Sequence, residues 1–308
     1  RLAAADLAAA VAARDAGGVA AMPTETVYGL AADATDPAAI ARVFEIKGRP
    51  NDHPLIVHLA DAEDLSEWAP DAGPQARALA ATSWPGPLTL IVPRSPRLPA
   101  EVAGGRDTVG VRVPAHPMAQ QMIRLLGRPV AAPSANRFGA VSPTTLEHVV
   151  ADLGDVLDPE RDVVVDGGPC PVGVESTIVD TTVDPPQILR PGAVTASDIA
   201  TVLDAEPAAA SGPSRASGML ESHYAPDCAV VLVEDADAAT AVAVEADNTR
   251  ILDGTGDLGR YARDLYAELR QADIDGVATL VAVLPPATGI GHAIRDRLRK
   301  AAAPRPAS

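Results

Sequence analysis

Cysteine, lysine and aromatic residues are all scarce in this sequence of 308 residues. The two cysteines, Cys170 and Cys228, lie far apart, and two are too few for a disulfide framework or a thiolate zinc site. The histidines lack the H-E-x-x-H spacing of a zinc protease. The longest uncharged stretch, residues 276–292, is interrupted by Pro285 and Pro286, which argues against a membrane span. No basic stretch followed by an apolar run opens the sequence, so we expect a cytoplasmic protein.

Positive charge is also in short supply. Lys and Arg total 25 against 41 Asp and Glu, which gives a formal net charge of −16. An acidic surface repels phosphate backbones, so we expect no stable complex with tRNA or other nucleic acids. A small basic pocket for a single nucleotide is compatible with this charge.

What the sequence does contain is an alternation of short β-type runs with helical runs, which is typical of an α/β protein. Its length and its hydrophobic fraction of 47% are sufficient for two cores. Between about residues 205 and 226 the composition shifts to Ala, Pro, Ser and Gly, as in a linker. We therefore predict a first domain over residues 1–204, a linker over 205–226 and a smaller α/β domain over 227–308.

The hydrophobic pattern predicts individual elements as well. Strands are predicted in the first domain at residues 19–22, 55–59, 88–92, 108–113, 129–132, 162–165, 176–181 and 187–189, and in the second at 229–233, 250–252 and 277–283. Helices are predicted at 2–16, 37–47, 117–126, 143–153, 196–203 and 258–272, with a last helix ending near 302.

Two glycine-rich segments match nucleotide-binding motifs only in part. Residues 254–259 read GTGDLG after a predicted strand, but no acid between Asp275 and Asp296 is available for a ribose hydroxyl, which favours a plain glycine turn. Residues 168–173 have the frame of a phosphate-binding loop, yet Val174 and Glu175 replace its lysine and hydroxyl residue. No G-x-S-x-G motif of a serine hydrolase is present.

Four segments of the first domain concentrate polar residues at strand ends and loops, where α/β proteins bind their ligands. They are PTETVYGL at 23–30, KGRP at 47–50, PSANR at 133–137 and ESTI at 175–178. Lys47 and Arg49 flank one glycine and repel each other unless an anion such as a polyphosphate lies between them; the alternative is a solvated surface pair. Ser134 and Asn136, two residues apart in an extended loop, point the same way as neutral donors.

Six motifs in chain order resemble the YrdC-like family. They are PTETVYGL, KGRP…HPLIVH, TVGVRVPAHP, APSAN…SPTT, ESTIVD and ILRPGAV, and they span about residues 3–203. The linker, with HYAP at 223–226, and the small C-terminal domain resemble the two-domain form of this family, the threonylcarbamoyl-AMP synthases. The resemblance implies a YrdC-like twisted mixed sheet with helices, followed by a smaller Rossmann-like α/β domain.

The resemblance also implies a reaction, in which L-threonine, bicarbonate and ATP give threonylcarbamoyl-AMP and pyrophosphate. Separate transferase proteins then pass the threonylcarbamoyl group to tRNA, and we expect the synthase itself to be a monomer. A carbamate anion must attack the α-phosphorus of a polyanion, so catalysis should rest on positioning and charge neutralisation. Mg²⁺ is the expected cofactor, bound through the ATP phosphates, and no protein side chain is assigned to it.

The family motifs assign the site residues. Lys47 and Arg49 neutralise the triphosphate and are the predicted catalytic residues. The predicted ATP site comprises Lys47, Arg49, His53, Thr108, Ser134, Asn136, Ser142, Arg190 and Tyr224. The predicted threonine site comprises Thr26, His58, Arg112, Ala132 and Ser176, with Arg112 as the bidentate partner of the carboxylate.

Simpler interpretations stay open for several of these residues. His58 ends an apolar strand and is also explained as a core histidine, and Arg112 as a strand residue facing solvent. Tyr224 is either part of a lid that excludes water or an ordinary linker tyrosine. Residues 218–222 lack the basic residues that some family members have before this tyrosine, and His53 stands where other members often have asparagine.

Two other functions are weighed against the synthase. A nucleic-acid-binding regulator is disfavoured by the net charge of −16 and by the scarcity of aromatic residues for a stacking face. A related carbamoyl-adenylate activity in secondary metabolism is the third possibility.

Overall fold

The computed structural model describes residues 4–5, 7–15, 17–212, 216, 224–245 and 247–304. Most of the second half of the predicted linker, including His223 and the segment 218–222, therefore lies outside the described residues. Among the described residues, no helix has the length and apolar character needed to cross a lipid bilayer.

Strands and helices alternate along the described chain. The strands are β1 (Ala4–Ala5), β2 (Ala20–Met22), β3 (Gly29–Asp33), β4 (Ile56–His58), β5 (Leu88–Pro93), β6 (Thr108–Arg112), β7 (Val130–Ala131), β8 (Val163–Val165), β9 (Thr177–Asp180), β10 (Gln187–Arg190), β11 (Ala208–Ala209), β12 (Ala229–Val233), β13 (Thr249–Leu252) and β14 (Thr279–Val283). The helices are α1 (Leu7–Asp15), α2 (Pro37–Lys47), α3 (Leu65–Trp68), α4 (Pro74–Ser83), α5 (Pro117–Leu126), α6 (Leu146–Leu153), α7 (Ala196–Leu203), α8 (Ala236–Glu245), α9 (Leu258–Ile274) and α10 (Gly291–Ala302). Two short 3₁₀ helices lie at Ala62–Asp64 and Ala100–Ala103.

The first 11 strands form one mixed sheet in the order β1-β8-β2-β3-β7-β4-β6-β5-β9-β10-β11. At its centre β4 runs parallel to β6 and antiparallel to β7, while β5 runs parallel to β9. Side chains on the central strands are almost all buried, because helices and loops cover the sheet. The remaining strands form a parallel sheet in the order β12-β14-β13.

Helix α2 shows how local sequence places a functional segment. The Asp36 side chain accepts a hydrogen bond from the amide of Ala38 at 2.8 Å, and Pro37 occupies the first turn. Gly48 adopts φ 63° and ends the helix, because a left-handed residue cannot continue it. The chain therefore turns between Lys47 and Arg49, and the two side chains leave the helix end in different directions.

The C-terminal unit docks closely on the first one. Helix α9 passes so near Gly173 that a Cβ at this position would lie 2.3 Å from the Arg263 Cα, and Gly173 has φ +78°, so only glycine fits. One hydrophobic cluster joins residues of α9 and α10 to Val141, Val174 and Tyr224. Arg270 on α9 also pairs with Asp152 on α6 at 2.6 Å.

The predicted α/β class is confirmed, and most predicted elements occur with ends shifted by a few residues. The sequence patterns failed to predict β3, α3, α4 and α8, as well as the short β1 and β11. Strand β3 has the sequence GLAAD, which has little β propensity, yet it pairs with both β2 and β7 and is wholly buried. The domain boundaries at residues 204 and 226 stay a prediction, although the two units share part of a core.

Candidate active site

A cavity that is open to solvent lies against central strands of the large sheet. Its wall combines the loops after β2 and β7 and the segment before β9 with Arg49 after α2, residues of β3, β4, β6 and β10, and one residue of the linker. The lining residues are Thr24, Thr26, Val27, Gly29, Arg49, Ile56, His58, Arg112, Ala132, Pro133, Ser134, Glu175, Ser176, Arg190 and Tyr224. Three arginines and one acid among them make this a polar, cationic cavity.

The sheet register brings two of the predicted threonine-binding residues side by side. His58 ends β4 and Arg112 ends β6, and these two residues are direct partners in the parallel pairing. Arg112 Nη1 donates to Thr26 Oγ1 at 3.0 Å, and its Nε donates to the Gly86 carbonyl at 3.2 Å. The guanidinium is therefore held in one orientation at the cavity wall, with an exposed fraction of only 4%.

The third nitrogen of Arg112 faces an acid. Arg112 Nη2 lies 2.6 Å from Glu25 Oε1, and both side chains are buried. Neither carboxylate oxygen of Glu25 accepts a geometrically sound hydrogen bond from the described residues, so the contact is ionic rather than a directed hydrogen bond. This buried carboxylate is thus paired by charge alone.

His58 is buried and neutral. Burial and the adjacent Arg112 cation lower its pKa to about 3, because both disfavour the imidazolium form. Its Nδ1 lies 3.1 Å from the Ile56 carbonyl oxygen, which can only accept, so Nδ1 carries the proton. His58 Nε2 is left with a lone pair that can accept a hydrogen bond.

Arg49 and His53 gather around one aromatic ring at the other side of the cavity. The Arg49 guanidinium lies 5.6 Å from the centre of the Phe138 ring, and the His53 ring lies 5.3 Å from it. Arg49 Nη2 also donates to the Pro54 carbonyl at 3.0 Å. Burial lowers the pKa of Arg49 to about 10, which still leaves it charged near neutral pH.

Lys47 lies under the loop that carries Ser134. Its Nζ donates to the carbonyl oxygens of Ser134 and Asn136, each at 2.5 Å, and it is 2% exposed. Burial and the nearby Arg49 cation lower the pKa of Lys47. The ammonium thus fixes the shape of this loop and adds positive charge behind it.

Glu175 is the one acid among the described lining residues, and its carboxylate accepts several hydrogen bonds. Its Oε1 accepts from Ser142 Oγ at 2.5 Å, and its Oε2 accepts from Tyr266 at 2.7 Å and from Arg297 Nε at 2.8 Å. Burial alone would raise its pKa, but the charges of Arg297 and Arg190 and these hydrogen bonds lower it to about 2. Glu175 is therefore ionised and saturated with donors.

Arg190 contacts Ser176, a residue of the predicted threonine site. Its Nε and Nη2 donate to the carbonyl and the hydroxyl oxygen of Ser176, each at 3.0 Å. Ser176 Oγ also lies 2.8 Å from Thr89 Oγ1. Ser176 is thus oriented by two neighbours while it lines the cavity.

Tyr224, the linker residue of the cavity, is 1% exposed and has φ 62°. A bulky residue in the left-handed region is unfavourable, so its surroundings must compensate. Its ring stacks on Tyr266 with 5.5 Å between centroids and lies 5.4 Å from the Arg297 guanidinium. Both of these neighbours belong to the C-terminal unit.

The structure brings nine of the predicted site residues to the cavity wall. They are Thr26, Arg49, His58, Arg112, Ala132, Ser134, Ser176, Arg190 and Tyr224. The predicted residues that do not line it are Lys47, His53, Thr108, Asn136 and Ser142.

These five occupy two kinds of position. Lys47, Asn136 and Ser142 lie behind the wall; the Asn136 amide donates to the carbonyls of Arg137 and Ala140 instead of pointing the same way as Ser134. His53 lies beside Phe138, and Thr108 begins β6 at the end opposite to Arg112.

Sequence reasoning assigned no role to four residues that shape the site. Glu175 and Glu25 stand inside motifs that were recognised, and an acid next to an apolar strand was the available signal. Tyr266 and Arg297 are 91 and 122 residues away from Glu175, so no local pattern connects them to it.

The cavity provides no ligand set for a metal ion. No group of three or more His, Cys, Asp or Glu side chains in the described ranges could hold one, and the oxygens of Glu175 already accept from Ser142, Tyr266 and Arg297.

Two family models cover the chain between them. One, described as telomere recombination, matches residues 12–192, and the other, described as the C-terminal domain of threonylcarbamoyl-AMP synthase, matches residues 194–303. The chain belongs to the threonylcarbamoyl-AMP synthase family. The resemblance carried by the six motifs is thereby confirmed.

Individual relatives of this family extend over nearly the whole chain. The threonylcarbamoyl-AMP synthase of Pyrococcus abyssi is 40% identical, with 92% of this chain and 90% of the relative covered. That of Bacillus subtilis is 38% identical, with 92% and 89% covered. The crystal structure of Pyrococcus abyssi Sua5 complexed with L-threonine matches with a TM-score of 0.88 and 38% identity, covering 96% of this chain and 93% of that one. The predicted two-part fold is confirmed by this match.

Proposed function

We propose that this chain synthesises threonylcarbamoyl-AMP from L-threonine, bicarbonate and ATP. The observation that carries the proposal is one cavity in which a carboxylate-binding group, Arg112, faces two further arginines, Arg49 and Arg190. An amino acid and a polyphosphate both need cationic partners, and here those partners share one wall. The family's name and a relative's complex with L-threonine support the same substrates.

Threonine binds on the side of Arg112. Its carboxylate pairs with the Arg112 guanidinium, and Thr26 and Ser176 offer hydroxyls to its polar groups. The amine must lose a proton before it can attack, and the neutral His58, with its lowered pKa, is too weak a base to take it. Its Nε2 lone pair can instead accept a hydrogen bond that orients the amine, while the proton goes to solvent.

ATP binds on the side of Arg49. Arg49 and Arg190 neutralise the phosphates, Ser134 offers a hydroxyl and Lys47 contributes charge from beneath the loop. Mg²⁺ enters bound to the ATP phosphates and reduces their charge further. The assignment of His53, Thr108, Asn136 and Ser142 to the ATP site stays a prediction.

The chemistry follows in two steps. Bicarbonate takes up a proton and loses water to give CO₂, and the threonine amine nitrogen then adds to the carbon of CO₂ and releases a proton, which gives a carbamate. A carbamate oxygen then attacks the α-phosphorus, the bond to the β-phosphate oxygen breaks and pyrophosphate leaves. The second step brings two anions together, so the three arginines contribute there by neutralisation and alignment. Tyr224 covers the cavity and keeps water from the labile product.

The product would serve transfer of the threonylcarbamoyl group to tRNA by other proteins. The net charge of −16 agrees with a synthase that need not hold tRNA itself.

Pyrophosphate release from ATP, with threonine and bicarbonate each omitted in turn, tests this function. We expect release only when both are present, with serine and valine as poor substitutes. Release without threonine would indicate a different acceptor, as in a related carbamoyl-adenylate activity. No release from folded protein under any combination would refute the proposal.

A further inference from the structure

Glu175 is the acid of the cavity wall, but two of its three side-chain donors come from the C-terminal unit. Tyr266 on α9 and Arg297 on α10 both donate to Glu175 Oε2, at 2.7 and 2.8 Å. Arg297 is completely buried, which is rare for an arginine unless it is paired. Its Nη1 also donates to the Pro191 carbonyl at 3.1 Å, next to the cavity residue Arg190.

The same two side chains hold the linker. Tyr224 stacks on Tyr266, and the Arg297 guanidinium lies 5.4 Å from the Tyr224 ring centre. Tyr224 keeps its unfavourable φ of 62° in this position. A single pair of residues from the C-terminal unit thus supports both the acid and the lid residue.

We propose that Arg297, assisted by Tyr266, is a positioning residue of the active site: it holds Glu175 in place at the wall and holds Tyr224 over the cavity. The C-terminal domain then forms part of the catalytic wall. This inference rests on the synthase function proposed above and assigns that domain a role in the same reaction.

The physical reason lies in the cost of a buried charge. Without Arg297, the largest charge that offsets burial is lost, so the pKa of Glu175 would rise and a falling pH would favour its protonated form. A neutral Glu175 no longer balances Arg190, whose guanidinium orients Ser176. Charged and titratable groups face this site from each packed element: Arg190 on β10, Tyr224 in the linker, Tyr266 on α9, and Asp296, Arg297 and Lys300 on α10.

The test compares Arg297→Met with Arg270→Met in the full-length chain. Arg270 also crosses the interface, to Asp152 at 2.6 Å, but it does not touch Glu175 or Tyr224, so it reports docking alone. For each variant, kcat and KM for ATP and threonine are measured between about pH 5.5 and pH 8, together with the melting temperature.

For Arg297→Met we expect kcat/KM to fall at least about tenfold, and its ratio to the wild-type value to drop further as the pH is lowered. The loss of melting temperature should be larger at high pH, where Glu175 is charged without a partner, than at low pH. Arg270→Met should give ratios independent of pH. The inference would be overturned if, for Arg297→Met as well, neither the relative kcat/KM nor the loss of melting temperature changed with pH.

Two further variants cover the case in which Arg297→Met does not fold. Tyr266→Phe removes one donor to Glu175 but keeps the stacked ring, and it should shift the same pH profiles in the same direction by less. Glu175→Gln removes the negative charge that pairs with Arg297. Arg297→Lys should therefore lower kcat/KM and the melting temperature by less in the Glu175→Gln background than in the wild type. The inference would be overturned if the losses caused by Glu175→Gln and Arg297→Lys were fully additive and Tyr266→Phe also kept the wild-type pH profile.

Failure of this inference is distinguishable from failure of the function. Wild-type protein that releases no pyrophosphate contradicts the function, whereas the pH dependence of melting still tests the contact between Arg297 and Glu175. Wild-type turnover with flat profiles in the variants contradicts only the positioning role.

Discussion

The two sides of the cavity each contain a buried acid that faces an arginine, and the two pairs differ in how completely they are satisfied. Glu175 accepts from Ser142, Tyr266 and Arg297. Glu25 meets only the charge of Arg112, at 2.6 Å, and its oxygens accept no sound hydrogen bond from the described residues.

This difference indicates two different tasks. A saturated network in a low-dielectric site is rigid and suits a supporting wall. A pair held by charge alone is easier to rearrange, which suits a site where a substrate carboxylate must compete for Arg112. With Arg112 as the proposed partner of the threonine carboxylate, the side of Glu25 and Arg112 is the adaptable one, and the side of Glu175 is the fixed one.

Arg112→Ala should produce the largest effect. We expect kcat/KM for threonine to fall about a hundredfold or more, since a buried charge partner of the substrate is lost. The free energy of unfolding should also fall by about 3–5 kcal/mol, because Glu25 is left buried without a partner.

A second substitution separates these two consequences. The double variant Arg112→Ala/Glu25→Gln should regain most of the stability, measured by urea unfolding, but none of the threonine turnover. Recovery of turnover together with stability would show that Arg112 acts only in folding.

Tyr224→Ala should remove the linker's contacts with Tyr266 and Arg297 on the fixed side of the cavity. We expect the ratio of AMP to threonylcarbamoyl-AMP among the products to rise about tenfold, because water reaches the carbamoyl-adenylate. Tyr224→Phe keeps the ring stacked on Tyr266 and serves as the control. Product ratios that agree between the two variants and the wild type would contradict a lid role for Tyr224.

The neutral His58 predicts a pH dependence of stability for the threonine side. Its pKa of about 3 in the folded protein lies below the ordinary value of 6.5, so the unfolded chain binds the proton more readily. The free energy of unfolding therefore has its full value above about pH 6.5 and decreases as the pH falls. The decrease amounts to about 2 kcal/mol at pH 5.

His58→Asn should remove that dependence, since its amide can still donate to the Ile56 carbonyl. The measurement is urea unfolding at about pH 7.5 and pH 5 for both proteins. His148, whose pKa burial lowers to about 4, contributes with the same sign in both and cancels in the comparison. Identical pH dependence in the variant and the wild type would contradict a buried neutral His58.

Glu25→Gln should have the smallest effect, and it should improve threonine binding where Arg112→Ala weakens it. It removes the internal competitor for Arg112, so we expect KM for threonine to fall a few-fold with kcat nearly unchanged. A rise in KM would show instead that Glu25 pairs with the threonine ammonium.

Much of the fold could be predicted where local signals were strong. Helix α2 is framed by Asp36, Pro37 and Gly48, and its bounds matched the prediction. Strand β3 could not be predicted, because Gly29–Asp33 is a strand only through hydrogen bonds from β2 and β7 and through burial. Gly29 also packs tightly on Ala132, which a side chain at this position would crowd.

The site divides in the same way. Motifs placed Thr26, His58, Arg112 and Ser134 at the cavity, because each lies at the end of a strand or in the loop that follows it. The contact of Arg297 with Glu175 spans 122 positions in the chain and depends on how two units dock, which no local pattern encodes. Lys47 was selected from its motif as a partner of the triphosphate, but only the structure shows that it is buried and that its ammonium faces backbone carbonyls.

The central claim is that this cavity joins threonine, bicarbonate and ATP in one product. Incubation of the full-length chain with ¹³C-bicarbonate, ATP and L-threonine, followed by mass spectrometry, tests it most directly. We expect the wild type to form threonylcarbamoyl-AMP that carries one ¹³C atom. The double variant Arg112→Ala/Glu25→Gln should form no labelled threonylcarbamoyl-AMP. An adenylate without the label, or equal labelled product from the double variant, would contradict it.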